Sequence, residues 1–259
     1  MKNFKLVIFD YPKQQLDKTI AQRVLSDLIV SKQQNFVRTS EDYVVMDKHD
    51  MIGTHFLIYE TSDIFNPKLI LALRCTYEDR AKKHRLSTPM QDLAVHLPPE
   101  TRQAYDEFRQ QFASENLVDC NSWFVDPNFS FKNSGLPLSD IGFTMVYLQL
   151  TRMGYKRFWG CTNEKYHAHR WVANISNFKK GYEFIHPTVP DSHMLTMVES
   201  FNLSYLKSVY ETYQELFDNM LEVTPDIPGY KNIHDTLATV FGANETTQKV
   251  VPLVKRKAG

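Results

Sequence analysis

Residues 123–138 constrain the chain more than any other segment. Trp123, Phe124 and Val125 close an apolar strand, a polar loop with a single glycine (Gly135) follows, and a helix opens at Pro137 or Leu138. That helix stays apolar through Ile141, Phe143, Met145, Val146, Leu148 and Leu150 until Met153 and Gly154. Proline in a helix's first turn loses nothing by lacking an N–H. A turn that feeds a helix N-terminus presents unbonded backbone N–H groups and the positive end of the helix dipole, which suits a phosphate or pyrophosphate. The same pattern also describes an ordinary strand–loop–helix connection. Neither a P-loop (G-x-x-x-x-G-K-[ST]) nor a dinucleotide fingerprint (G-x-G-x-x-G) occurs anywhere in the chain.

Within this segment, Val125-x-Pro127 followed by Lys132-x-x-Gly135-x-Pro137 resembles the acyl-CoA signature of the GNAT acyltransferase superfamily, V-x-P-x-x-R/Q-x-x-G-x-G/A. Lys132 stands where Arg or Gln is usual, Pro137 replaces the last small residue, and the loop is longer after its first proline. The resemblance implies that Phe124, Val125, Lys132, Asn133, Ser134, Gly135, Leu136, Pro137 and Leu138 receive the phosphopantetheine thioester of acyl-CoA or of an acylated carrier protein.

Length and composition agree with one sizeable core: 259 residues, 42% hydrophobic and 23% charged. Thirty basic and thirty acidic residues give zero formal charge, so no overall field favours nucleic acid or an anionic membrane. The apolar start, Met1 to Asp10, is too short and too soon interrupted, by Asp10 and then Pro12, for a signal peptide, and no apolar run is long enough to span a membrane. Cys75, Cys120 and Cys161 are scattered and odd in number, which fits a reducing cytoplasm and shows no metal spacing.

Periodicity predicts a strand over 4–9, an amphipathic helix over 16–30, and short strands over 43–46, 54–60 and 68–75, the last two joined by turn chemistry at 63–68. A charged excursion over 76–100 carries a short helix at 90–95, then a polar helix runs over 100–114 and a strand over 117–125. After the 137–153 helix come a strand at 156–160, a helix over 164–180 stopped by Gly181 as a C-cap, a strand at 182–186, a long helical region over 194–221 and a loose basic tail from 250. Hairpin-paired strands followed by strand–helix–strand units predict an α/β (α+β) fold: a GNAT-like, mostly antiparallel mixed sheet flanked by helices. Residues 1–190 are expected to form the acyltransferase domain, with 191–259 a C-terminal helical extension packed on it.

A second resemblance lies upstream. Asp47, Asp50 and the strand ending in Arg74 look like the N-terminal half of acyl-homoserine-lactone synthases and their N-acyl amino acid synthase relatives, which carry a D-x-x-D stretch and an Arg closing the next strand. Their E-S-S-R-F-x-V-D element falls on residues 119–126, with Asp119 for Glu and Ser122 for Arg; their V-F-x-x-R-L-G-W signature has only Phe36, Val37 and Arg38 near it. The resemblance implies aminolysis of a thioester, with Asp119 as base or amine-orienting group, Asp47 and Asp50 holding the acceptor amine, and Arg74 clamping an acceptor carboxylate or pairing with those aspartates. A backbone N–H near Phe124 or Val125 would meet the oxyanion.

The bland readings are that Asp47 and Asp50 lie in a solvated turn, Asp119 is exposed, Arg74 makes a surface salt bridge, and His55 is a satisfied core histidine. The general-acid Tyr of many GNAT enzymes is replaced here by Asn177, leaving Tyr166 as a stand-in. His167 and His169 point to different helix faces and make no metal site. Asp191, Ser192 and His193 lack a nucleophile elbow. Residues 82–85 and 179–180 offer basic patches for a carrier protein. The expectation is therefore a cytoplasmic N-acyltransferase moving a fatty acyl group to a small amine such as an amino acid; a non-catalytic acyl-carrier or acyl-CoA binder is the alternative, and a nucleotide-binding α/β protein a third.

Overall fold

The computed structural model describes residues 3–35, 46–163, 168–186, 191–226 and 230–242. Its strands are β1 (Phe4–Asp10), β2 (Thr54–Glu60), β3 (Lys68–Tyr77), β4 (Val118–Val125), β5 (Phe158–Asn163), β6 (Ser176–Ile185), β7 (Ser192–Phe201) and β8 (Leu221–Val223). They form one eight-stranded sheet in the order β6-β7-β5-β4-β3-β2-β1-β8. Neighbours are antiparallel except β4/β5 and β1/β8. The central strands are apolar on both faces because helices cover both.

On one face lies α6 (Leu138–Met153), with α8 (Leu203–Thr212), α9 (Gln214–Asp218) and α10 (Ile233–Phe241) around it. Ile141, Met145 and Leu148 of α6 share a core with Phe56, Ile58, Leu71 and Leu73 of the sheet and with Leu206, Phe217 and Leu237 of the outer helices. This sandwiching explains why α6 is apolar almost all round. Each large side chain buried there contributes about 1.5–3 kcal/mol.

The other face is divided. Ala21, Val24, Leu25 and Leu28 of α1 (Thr19–Asn35) cover Val7, Phe9, Leu57 and Leu69. Met90 and Ala94 of α3 (Pro89–Val95), with Tyr105 and Phe108 of α4 (Pro99–Gln110), cover Trp159, Leu195 and Met197. Short α2 (Glu78–Lys83) follows β3, and α5 (Phe131–Ser134) lies in the loop before α6.

Several elements depart from the sequence expectation. Residues 194–221 are not one helical region: Ser192–Phe201 is β7, paired with both β5 and β6, and only then do α8 and α9 follow. Met194, Leu195, Met197 and Val198 are buried on both faces of the sheet, and such an apolar run has no period that separates strand from helix. The helix expected to stop at Gly181 ends earlier, as α7 (Ala168–Ile175), and Gly181 lies inside β6, where an added Cβ would press on Leu195. β5 runs through Gly160 instead of ending there. The strand expected over 43–46 and the tail from 250 lie outside the described residues, apart from Met46, which is not in a strand. Among the described residues no helix is long and apolar enough to cross a membrane.

The sheet is narrowest at β4/β5. Only Val118↔Phe158 and Asp119↔Trp159 pair between them. Beyond that point β4 continues along β3 while β5 continues along β7, so the strands diverge. Gly160 sits at the fork; a Cβ there would collide with the carbonyl oxygen of Cys120. On the β3 side, β4 carries an irregularity between Arg74↔Asn121 and Ala72↔Phe124, and Ser122 takes φ 51°. That is a β-bulge, which re-aims the side chains around it.

Candidate active site

The gap between α1 and α3 on the divided face is filled by charge. Arg74, at the end of the apolar run 69–73, lies opposite His55 on β2 and Asn121 on β4. Its Nη1 donates to Asp50 Oδ1 at 2.6 Å and Asp47 Oδ1 at 2.8 Å, and its Nε donates to Asn121 Oδ1 at 2.8 Å. Asp47 and Asp50 are held ready by a 3-10 turn, Lys48–Met51, that Asp47 caps: its side chain accepts the amides of His49 and Asp50, and Asp50 answers to the Asp47 amide at 2.9 Å. This reciprocal capping box fixes both carboxylates before any ligand arrives. Gly53 allows the approach, since a Cβ there would stand 3.0 Å from Arg74 Cγ.

From α1, Lys32 donates to Asp50 and is almost fully buried. From β4, Asn121 Nδ2 donates to Asp119 Oδ1 at 3.0 Å, and the Met90 amide of α3 donates to Asp119 Oδ2 at 2.5 Å. His55 donates from Nε2 to the Asp50 carbonyl at 2.9 Å, and His49 from Nε2 to the Ser87 carbonyl at 3.0 Å. The four sequence-predicted residues Asp47, Asp50, Arg74 and Asp119 thus belong to one connected network. Two bland readings fall outright, since Arg74 and Asp119 are buried and not at the surface, and the solvated-turn reading holds for Asp47, 34% exposed, but not for buried Asp50. His55 is the satisfied core histidine.

Lys32, Asn121 and His49 are network members that sequence reasoning missed. Lys32 had a signal: it continues the buried stripe of Val24, Leu25 and Leu28 at helical spacing. Asn121 had none beyond its place in the degenerate element.

Burial works against every charge here, and the partners outweigh it at some groups and not at others. Burial would raise Asp47, but the His49 hydrogen bond and Arg74 hold it well below the usual carboxylate range. Asp50 is likewise lowered, Arg74 and Lys32 overcoming its burial. Burial and the neighbouring Arg74 push Lys32 down despite Asp50. Asp119 goes the other way: burial raises it, only partly opposed by the Met90 amide and Asn121. A raised carboxylate in a closed site is disposed to accept a proton.

The predicted phosphate loop has a different character. Residues 127–129 form a 3-10 turn capped by Asp126, α5 follows, and Gly135 takes φ 70°. The amides of Asn133, Ser134, Gly135, Leu136 and Leu138 already bond within the loop. Lys132 is exposed, and Leu136 and Leu138 are buried in the core. The first turn of α6 holds a carboxylate of its own, Asp140, buried and accepting from Tyr205 Oη at 2.9 Å. Burial raises this group.

Phe124 packs under α1, while Val125 faces the α6 side. The Asp126 amide bonds the Ile70 carbonyl at 2.8 Å, so ladder alternation turns the Val125 N–H away from β3 toward the fork. Asn177 lies in β6, and Tyr166 and His167 lie outside the described residues. Surface clefts of about 310 Å³ (Glu222, Pro225, Tyr230) and about 250 Å³ (Tyr147, Leu203, Phe241) lie away from the network and from the fork. Among the described residues no cluster of His, Cys, Asp and Glu is placed to hold a metal.

No protein-family profile matches the chain. No curated protein matches its sequence. Solved structures do. A CoA-dependent acyl-homoserine lactone synthase, BjaI, determined with SAM and isopentyl-CoA, aligns at TM-score 0.58 and 11% identity over 92% of this chain and 98% of that one. The same synthase with MTA gives TM-score 0.56. The chain has the fold of an acyl-homoserine lactone synthase. The N-acyl amino acid synthase FeeM, from uncultured soil microbes, is a more distant likeness at TM-score 0.46 and 10% identity over 81% of this chain and 98% of that one. In this synthase fold the forked strands and the buried charge network lie next to one another on β4.

Proposed function

We propose that the chain is an N-acyltransferase. It moves an acyl group from acyl-CoA or an acylated carrier protein to the amine of a small acceptor such as an amino acid. The observation that carries this reading is the geometry of β4: an unpaired edge at the fork, toward which ladder alternation turns the Val125 N–H, and Asp119 bonded into a buried charge network on the adjoining face. BjaI, which shares the fold, is CoA-dependent and was determined with isopentyl-CoA, which supports the donor class.

The chemistry follows from those groups. The donor thioester enters the fork and the acceptor ammonium meets Asp47, Asp50 and Asp119. Asp119 takes a proton from the amine. The nitrogen lone pair attacks the thioester carbonyl carbon, and the oxyanion that forms is met by the Val125 N–H. Collapse breaks the C–S bond, the leaving thiolate takes up the second proton that the attacking nitrogen sheds, and an amide remains. Arg74 orients the acceptor by holding the aspartates and stands ready for its carboxylate. Holding both reactants side by side along β4 supplies much of the rate.

Thermal unfolding with acyl-CoAs and acylated carrier proteins of rising chain length, followed by thiol release on adding amines, tests this. Ligand binding to the folded state raises the melting temperature. Thiol release that depends on both donor and amine is the expected result; no thermal shift with any thioester sinks the proposal. The alternative, a non-catalytic acyl-CoA or acyl-carrier binder, is favoured by the complete burial of Asp119 with both its oxygens bonded. It predicts a thermal shift without thiol release.

A further inference from the structure

Asn121 lies between the two ends of the network. A guanidinium has only donors, so the Arg74 Nε–H at 2.8 Å fixes the carboxamide oxygen on its own side. The Nδ2 group is then turned to Asp119, donating to its Oδ1 at 3.0 Å and to its carbonyl oxygen at 3.3 Å. With the Met90 amide on Oδ2, each oxygen of Asp119 accepts one N–H. The bulge at Ser122 brings this about, since the register that sets Asn121 opposite Arg74 shifts immediately after it. The residue types fit together as well. Where the synthase element has Glu and Ser, this chain has the shorter Asp119 and the longer Asn121, and a two-ended carboxamide spans what a hydroxyl does not.

We propose that Asn121 is a positioning residue: its carboxamide holds the Asp119 carboxylate in one orientation and couples it to Arg74. The catalytic meaning of this rests on the acyl-transfer reading; the hold on Asp119 does not. The groups facing Asp119 are Arg74 and Cys75 from β3, His49 from the 3-10 turn, the Met90 amide from α3, Tyr105 from α4 and Cys161 from β5. Apart from Asn121, only the Met90 amide bonds the carboxylate itself among these. Removing Asn121 therefore removes one of two direct hydrogen bonds to the charged form.

The test uses the full chain and reads Asp119 directly, by the infrared carboxyl band that disappears in Asp119→Asn, titrated with pH. In Asn121→Leu, Asp119 should titrate about one pH unit or more higher. Turnover should fall about 10- to 100-fold with the acid limb of its pH profile moving up and KM for the acyl donor unchanged. The double exchange Asp119→Asn with Asn121→Asp keeps donors facing acceptors along the network. It should remain as stable as the natural chain yet transfer no faster than Asp119→Asn. An unmoved Asp119 titration in Asn121→Leu overturns the proposal. If Asn121→Leu does not fold, Asn121→Ser, which keeps a donor but cannot span, decides by the same titration. A natural chain that transfers no acyl group while Asp119 still shifts in Asn121→Leu would remove the acyl-transfer reading and leave the hold of Asn121 on Asp119 standing.

Discussion

Arg74 Nη1 and Asp50 Oδ1 are 2.6 Å apart with both side chains closed to solvent, and Lys32 of α1 reaches the same oxygen. A carboxylate shared by two buried cations cannot be removed quietly. Asp50→Ala takes this carboxylate from both, leaving Arg74 with Asp47 and Asn121, and the expected loss is about 3 kcal/mol of stability, read by urea unfolding. Asp47 and Asp50 are both depressed in the folded state. Their contribution is therefore present above the ordinary carboxylate range and is lost as pH falls below it. An Asp50→Ala chain as stable as the natural one would show that the network is not fully formed.

His55 gives a separate pH dependence. Burial lowers it from 6.5 to about 4 in the folded chain. Between those values the unfolded chain binds the proton and the folded one does not, so stability falls as pH drops through this window, by about 3 kcal/mol. His55→Gln keeps a donor for the Asp50 carbonyl and should remove that slope. The smaller slope from the less deeply buried His186, also lowered to about 4 by burial and by His193, should persist. Unfolding free energies at stepped pH from 7 to 4 would show an unchanged slope if His55 is not the group responsible.

Gly160→Ala should strike the fork itself. The new methyl meets backbone, the Cys120 carbonyl, and backbone cannot swing aside. Destabilisation of about 1–3 kcal/mol is expected, together with loss of any thioester-induced thermal shift. Gly142→Ala is the control: its methyl would stand 2.9 Å from Leu73 Cδ1, the movable end of a side chain, and should be milder.

Asp140 lies in the first turn of α6, where a ligand pyrophosphate would compete with it for the positive helix end. If the donor's phosphates dock there, Asp140→Asn should tighten CoA binding about two- to fivefold by calorimetry. Unchanged affinity would place the phosphates elsewhere, with Lys132 the next residue to test.

Much of this was legible from residue order. The hairpin strands, α6 and the pairing of the D-x-x-D stretch with Arg74 follow from periodicity and from a two-motif resemblance. Residues 192–201 were not legible, because a strand buried on both faces loses the alternation that marks a strand. Gly181 and Gly160 read as stops, yet they are places where neighbouring strands come too close for a Cβ. The phosphate loop was half legible: its strand, glycine and helix stand where expected, but hydrogen bonds from Ser134 and the charge of Asp140 depend on how the loop closes on itself. Lys32 needed the helix to run past residue 30, and Asn121 needed the bulge at Ser122.

The two-rung join between β4 and β5 has a consequence for how the molecule breathes. β8 and β1 to β4 form one hydrogen-bonded block, and β5 to β7 another. Widening the fork strains neither block's own ladders. Native-state amide exchange should therefore resolve two cooperative units of different opening free energy, joined through the α6 core, with the seam between them running through Asp119.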